Sequence, residues 1–286
     1  MDERALLERS GGPVTGERIT RDVRALGVRE GDTVMFHTEL SALGYVPGGP
    51  PTVIAALLEA VGEGGTLLAY TGWNDAPPYD LPSWPEEWRE AVRAAHPAYD
   101  PVVSEADHAN GRLPEALRHW PGARRSRHPD VSFAAVGARA AELTDGHAWD
   151  DPHGPGSPLA RLVEQEGRVL LLGAPLDSLT LLHHAEALAE APGKRHVRYE
   201  QPVLDPLSGQ RVWRSFWDID SEDGAFDYAA LDAVAEGEWP FAVIARAMLA
   251  AGIGTRGTVG AGESHLFDAG DAVRFAVGWI EREFGA

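Results

Sequence analysis

A chain of 286 residues is long enough to bury a large core, and 44% hydrophobic with 24% charged residues is the composition of a folded protein. Lys and Arg total 25 against 44 Asp and Glu, a formal charge of −19 that repels nucleic acid and anionic membranes and attracts cations, although acidity also serves solubility alone. The absence of cysteine excludes disulfides, thiolate nucleophiles and Cys-bound zinc.

Residues 1–17 carry charges where a secretory signal needs an apolar core, and no apolar run approaches the roughly 20 residues of a membrane span, so a cytoplasmic protein is expected. In chain order, a short helix is expected over Thr20–Leu26 and a buried strand over Asp32–Phe36, followed by the loop His37–Gly44. A helix follows from about Thr52 to Val61, then a strand over Thr66–Tyr70. Further strands are expected at Val131–Val136 and Val169–Leu172, and helices near Leu159–Gln165, Thr180–Ala189, Pro240–Leu249 and Ala272–Phe284. Short apolar runs alternating with helical periodicity describe an α/β protein whose sheet is covered. Residues 71–110 break this rhythm: Trp73, Trp84 and Trp88, several prolines and many acids surround one short helix at Glu86–Ala95. A loop of that length is functional or disordered, and three tryptophans argue against disorder. With no repeat, low-complexity tract or linker, residues 1–286 are expected to form one unit.

Four segments carry candidate chemistry. The strand Val169–Leu172 runs through Gly173 and Pro175 into a helix that Asp177 or Ser178 is placed to cap. On that helix His183 and Glu186, three apart, share one face near the strand's carboxyl end, where open α/β sheets bind ligands. A carboxylate beside an imidazole fixes its tautomer and suits it to act as a general base; taken alone, the pair also fits an ordinary polar helix face. The loop after Phe36, from His37 to Gly44, has hydroxyls and free N–H groups of the kind that cradle phosphates, without a P-loop or dinucleotide fingerprint; an ordinary strand-to-helix turn reads the same. Arg124, Arg125, Arg127 and His128 form the dense basic cluster of an acidic chain, suited either to phosphates or to neutralising neighbouring carboxylates. Acids flank aromatic residues twice, at Asp75, Asp80, Glu86, Glu87, Glu90, Glu105 and Asp107, and at Asp218, Asp220, Glu222 and Asp223 beyond Trp213 and Trp217. Such interleaving binds polyamines through ion pairs and cation–π contact. The rival use is a metal site built from His147, His153, His183 and His184, but no ligand signature such as His-Glu-x-x-His is present, and no metal is expected.

Taken together and in order, these segments resemble the aminoglycoside 3-N-acetyltransferase family. The matching stretches are His37–Gly44, Gly64–Leu68, Arg125–Pro129 with Ser132–Ala135, Gly156–Leu159, Leu171–Asp177 and Thr180–Glu186. The resemblance spans about Arg18 to Phe284. It implies an antibiotic N-acetyltransferase fold, a mixed central α/β sheet flanked by helices, distinct from the commoner acetyltransferase superfamily. The Gln/Arg-x-x-Gly-x-Gly/Ala loop of that superfamily is missing, Arg24–Arg29 being the nearest approach. The implied reaction moves the acetyl group of acetyl-CoA, as co-substrate, to the 3-amine of the 2-deoxystreptamine ring of an aminoglycoside, an antibiotic-resistance activity.

By the family pattern His183 is the catalytic base and Glu186 its partner. Acetyl-CoA falls to His37, Thr38, Leu40, Ser41, Ala42, Leu43 and Gly44, with Arg125, Ser126, Ser132 and Phe133. The polycation falls to Trp73, Asp75, Asp107, Asp177, Asp218 and Asp220. Glu39 departs from the many relatives with a small hydroxyl or basic residue there, and is expected to face solvent rather than a phosphate. Without a cysteine or a Gly-x-Ser-x-Gly elbow, transfer is expected to be direct, in a ternary complex. Another amine acceptor, or a non-catalytic polycation-binding protein, stays open on the sequence, as does the choice between monomer and homodimer.

Overall fold

The computed structural model describes residues 2–231, 234–235 and 237–285. Its strands are β1 (Thr33–Thr38), β2 (Thr66–Tyr70), β3 (Arg124–Arg125), β4 (Phe133–Gly137), β5 (Arg168–Leu172), β6 (His196–Leu204), β7 (Arg211–Ile219), β8 (Thr255–Val259) and β9 (Gly262–Asp268). Its helices are α1 (Glu3–Ser10), α2 (Gly16–Leu26), α3 (Pro50–Val61), α4 (Glu86–Ala95), α5 (Arg112–Arg118), α6 (Ala140–Thr144), α7 (Pro158–Glu164), α8 (Leu181–Leu188), α9 (Pro240–Ala250) and α10 (Ala269–Phe284). Seven strands form one sheet in the order β3-β4-β2-β1-β5-β9-β8, and β6 with β7 forms a separate hairpin. The three central strands β2, β1 and β5 are parallel, and antiparallel β4 and β9 flank them. The fold is thus a mixed α/β sheet.

The apolar runs are continuous because both faces of the sheet are covered. Along β1, Val34 and Phe36 join one core while Met35 joins the other; Leu170 and Leu172 on β5 face opposite to Val169 and Leu171. On one face α2, α3 and α5 supply Ile19, Ile54 and Leu117; on the other α8, α9 and α10 supply Leu182, Ile244 and Ile280. No helix among the described residues is long and apolar enough to cross a membrane.

Most expected elements form, with shifted ends. The first helix starts at Gly16, four residues early, because Thr15 Oγ1 accepts from Arg18 N at 3.3 Å as its N-cap. The second starts at Pro50, since a proline in the first turn forfeits no intrahelical bond. Strand β1 runs on to Thr38, carried by its pairing of His37 and Thr38 with Leu171 and Leu172. The helix α8 is not capped by Asp177 or Ser178. These lie in a separate 3₁₀ turn, Leu176–Ser178, and the cap position is Thr180, without a side-chain bond. The hairpins β6–β7 and β8–β9 and the short helices α1, α5 and α6 lie where no element is expected from the sequence.

Residues 71–110 are ordered by contacts with the rest of the chain. Tyr99 N donates to Pro202 O on β6 at 2.8 Å, and Tyr99 OH to Ser126 O at 3.0 Å. Arg125 is the clamp. Its Nε reaches Thr71 Oγ1 at 3.1 Å and Ser132 Oγ at 3.2 Å, its two terminal nitrogens donate to the carbonyls of Ser104 and Gly72, and the guanidinium lies 5.1 Å from the centre of the Tyr99 ring. Arg125→Met keeps the stem but strands these acceptors, so stability should fall by about 3 kcal/mol in urea unfolding, with new protease cleavage inside residues 71–110. Unchanged stability and protease resistance would show that the loop holds itself.

Candidate active site

The carboxyl ends of β1 and β5 open onto a cleft of about 370 Å³. His37, Thr38 and Glu39 line it from β1, Asp177 and Thr180 from the segment after β5, His183 from α8, and Tyr70, Asn110, Trp239 and Phe241 from around the rim. A second groove, of about 530 Å³, shares Thr38, Glu39 and Gly111 with it and runs past Leu40, Ser41, Gly44 and Val46 to Leu6. The two meet because Gly173 lets the β5 loop approach the 39–44 loop. Its φ is +67°, and a Cβ there would sit 2.8 Å from Ala42 Cβ.

His183 Nδ1 lies 2.8 Å from Glu186 Oε2, and the other oxygen, Oε1, accepts from Tyr228 OH at 2.8 Å. Glu186 is 1% exposed, so its charge is shielded from water, while the imidazole is 17% exposed and lines the cleft. The carboxylate takes the Nδ1–H, which leaves the Nε2 lone pair as the ring's basic site. Phe241 packs edge-on against the imidazole with ring centres 4.7 Å apart.

Behind His183, at 5.0 Å between ring centres, lies His153, whose Nδ1 is 2.9 Å from Asp218 Oδ2. Burial, with the neighbouring His183 adding to it, pushes His153 down to about 3, and burial pushes Asp218 up to about 7. A neutral His153 puts no positive charge next to the base. His37 is likewise held neutral, pushed by burial to about 4. His37 Nε2 and Thr38 Oγ1 are buried at the cleft without a hydrogen-bond partner.

Carboxylates gather beyond the histidine. Asp130 holds Tyr79 OH at 2.7 Å and Gln201 Nε2 at 2.9 Å, and its carbonyl accepts from Tyr70 OH at 3.5 Å. Burial first, then Asp218, raises Asp130; burial and then Asp130 raise Glu222. Tyr70 is raised by burial and further by Asp130, Glu222, Asp107 and Asp218. These shifts describe acids that face one another in excess of nearby cations.

The expected site residues separate by burial. His37, Thr38, Leu40, Ser41, Gly44, Asp177 and His183 line the two clefts. Glu39 is exposed, accepts from Ser41 Oγ and lines both clefts. Leu43 is fully buried, and Ala42 fills the space beneath Gly173 and Gly262, so neither side chain lines a cleft. Arg125, Ser126, Ser132 and Phe133, expected to contact acetyl-CoA, line neither cleft. Arg125 is spent on the loop, the two serines are buried and bonded to their own surroundings, and Phe133 is core. Arg112, exposed on the groove at the start of α5, is the cation the sequence reading missed.

Among the expected substrate residues, Trp73 is buried edge-on against His96, and Asp75 is an exposed partner of Asn74. Asp107 caps the turn His108–Asn110 and adds to the field on Tyr70. Asp218 is buried behind His153, and Asp220 accepts from Asp223 N. Trp73, Asp75, Asp218 and Asp220 therefore do not line the cleft. His147 and His184 spend nitrogens on the carbonyls of Pro152 and His153. No three His, Asp or Glu side chains converge as metal ligands would among the described residues. Tyr228, Asp130 and Tyr70 escaped the sequence reading because each acts on a partner at least 42 residues away, with no local spacing to mark it.

A carboxylate-backed histidine in a cleft that adjoins a second groove is the arrangement of a group-transfer enzyme with two substrates. The family model for aminoglycoside 3-N-acetyltransferase matches residues 35–281. The aminoglycoside N(3)-acetyltransferase VII of Streptomyces paromomycinus is 68% identical over 285 residues, covering 100% of this chain and 98% of its own. The crystal structure of the aminoglycoside acetyltransferase AAC(3)-Xa superposes with a TM-score of 0.97 at 68% identity, over 99% of this chain and 98% of that one. A binary complex of AAC-IIIb with CoASH gives 0.86 at 44% identity, over 96% and 98%. The chain belongs to the aminoglycoside 3-N-acetyltransferase family.

The His153–Asp218 pair yields a test of the buried geometry. Unfolded values are 6.5 and 3.8, so between about pH 4 and 6.5 the folded pair carries its proton on Asp218 and the unfolded pair on His153. Asp218 contributes stability that is lost as pH rises through about 7, and His153 stability that is lost as pH falls below 6.5; in this window the two slopes cancel. Asp218→Asn leaves the histidine alone. The variant should lose stability relative to wild type as pH drops from 6.5, by up to about 1.4 kcal/mol per pH unit, in urea unfolding at stepped pH. Parallel profiles would refute the neutral His153.

Proposed function

We propose that this protein transfers the acetyl group of acetyl-CoA to the 3-amine of the 2-deoxystreptamine ring of an aminoglycoside, and that this confers resistance to the antibiotic. The observation that carries the reading is His183, backed by buried Glu186 and Tyr228, in a cleft that adjoins the Thr38–Val46 groove through Thr38, Glu39 and Gly111. Family membership supports the 3-amine as the acceptor and acetyl-CoA as the donor.

Acetyl-CoA fits the groove on two counts. Thr38 Oγ1 is a buried polar atom in want of a partner where the groove joins the cleft, with His37 Nε2 unpaired beside it in the cleft, and Arg112 supplies a guanidinium for a phosphate further along. The aminoglycoside occupies the acidic side, where Asp177 lines the cleft and Asp107, Asp130 and Glu222 add to the negative field on its rim residue Tyr70. Bringing a polycation among these acids relieves their mutual repulsion.

The acceptor amine arrives protonated, and the acidic cleft strengthens that form. His183 Nε2 takes the amine proton, and the freed nitrogen attacks the thioester carbonyl. A C–N bond forms, the C–S bond breaks, and the coenzyme leaves as its thiolate, which takes the second N–H proton of the new amide nitrogen while His183 returns the first to solvent. Glu186 keeps the imidazole oriented and stabilises the imidazolium that forms; Tyr228 holds Glu186 in turn. A protein that merely bound polycations would gain nothing from burying a carboxylate behind a histidine.

Loss of the base should cost the range attributed to general-base catalysis. His183→Ala should lower turnover on a 2-deoxystreptamine aminoglycoside by about 10²- to 10⁴-fold while calorimetric binding of acetyl-CoA stays intact. The wild-type product, analysed by mass spectrometry and NMR, should carry one acetyl group on the 3-amine. Full activity in the variant, or acetylation elsewhere, would overturn the assignment.

A further inference from the structure

Among the described residues, six buried side-chain polar atoms have no hydrogen-bond partner. Two of them, His37 Nε2 and Thr38 Oγ1, belong to the catalytic cleft. Three others, Arg89 Nε, Tyr199 OH and Gln201 Oε1, line a separate cavity of about 440 Å³ between the 77–93 segment and the β6–β7 hairpin. Unpaired polar atoms taken out of water destabilise a fold, and three around one hollow are the mark of a site whose ligand supplies the missing bonds.

The charge of this cavity is the reverse of the catalytic cleft's. Arg89, Arg93 and Arg198 face it from α4 and β6, against the single carboxylate of Glu200. Arg93 is paired with Glu200 and lies 5.0 Å from the centre of the Trp213 ring, whereas Arg198 lies 5.7 Å from the Trp217 ring and, like Arg89, has no carboxylate partner among the described residues. A polycation is repelled here, so the cavity is not an extension of the aminoglycoside site. Arg89 Nε is a donor, Tyr199 OH can donate, and Gln201 Oε1 requires a donor, because the amide's Nε2 is committed to Asp130. Pro77, Pro78 and Trp213 give the cavity an apolar wall.

We propose that this cavity binds a small organic oxyanion, one whose phosphate or carboxylate meets Arg89, Arg198 and Tyr199 while a hydroxyl donates to Gln201. Guanidinium groups with a nearby phenol match the in-plane lone pairs of either acid group, and the amide oxygen adds a requirement that an inorganic anion without a proton does not meet.

The test is calorimetric titration of the full-length protein with glycerol 3-phosphate and, separately, with glycolate, at constant ionic strength and with coenzyme A saturating, so that the phosphate contacts of the acetyl-CoA groove are blocked. Saturable one-to-one binding of either compound supports the site and tells which acid group it prefers. Arg89→Gln should then weaken binding by about ten- to hundredfold, the loss for a hydrogen bond to a charged group, and Tyr199→Phe should weaken it with the ring retained. Circular dichroism melting confirms that both variants fold, and both should acetylate aminoglycosides at the wild-type rate when no oxyanion is present. Absence of saturable binding by both compounds, loss of binding once coenzyme A is added, or affinity unchanged in both variants overturns the proposal. Because the readout is binding, a failure of acetyl transfer would leave the result standing.

Discussion

The burial of one carboxylate organises the site. Glu186 is withdrawn from water and has two polar side-chain contacts: the His183 imidazole and the Tyr228 hydroxyl. Burying an ion is costly unless it is paired and hydrogen-bonded, and the packing of α8 against α10 would leave Glu186 stranded without these partners. The same packing forces the imidazole to the helix face that looks onto the cleft, so its orientation follows from the core. When the proposed reaction puts a proton on His183, the pair becomes an ion pair in a place where few waters compete. That gain arises only once the amine has given up its proton, when a base is useful.

The surroundings keep this arrangement free of competing charge. His153, whose ring lies 5.0 Å from that of His183, is kept neutral by burial, with the neighbouring His183 adding to it. A protonated imidazole at that distance would oppose protonation of His183. The buried carboxylate of Asp218 is therefore a support for the neighbouring ring, and its place in the sequence beside exposed acids conceals this. Arg125 similarly carries a charge that looks available in the sequence, yet its bonds run to carbonyls and hydroxyls of the loop it fastens.

What could be read from the sequence was what depends on near neighbours. His183 and Glu186 are three residues apart on one helix, and the loop after β1 begins where an apolar run stops, so both were legible from spacing. The parallel strands were legible because burial on both faces makes them uninterrupted. The hairpin β6–β7 was not. On β7 the adjacent Val212 and Trp213 and the adjacent Phe216 and Trp217 break the alternation that marks a half-buried strand, and outside the hairpin β6 has an isolated bridge to Tyr99. The role of Arg125 was hidden for another reason: its partners are main-chain atoms, which every sequence offers equally. Tyr228 and Asp130 depend on chain segments brought together only in the folded state.

The net charge acquires meaning from its distribution. A uniform −19 would attract an aminoglycoside to every face and hold it at none. Here Asp130 raises the proton affinity of Glu222, and both add to the field on Tyr70 at the catalytic cleft, while arginines line the cavity beyond Gln201 and Arg112 stands on the groove. Asp130 lies between the two regimes, bonded to Tyr79 and Gln201 of the arginine-lined cavity and contributing to the field on Tyr70. A polycation entering this landscape is drawn to one place and repelled from the next, so the fold selects both its position and the direction in which its amines point. In the proposed reaction it is orientation of that kind, set before any bond is made, that brings one amine among several to the histidine.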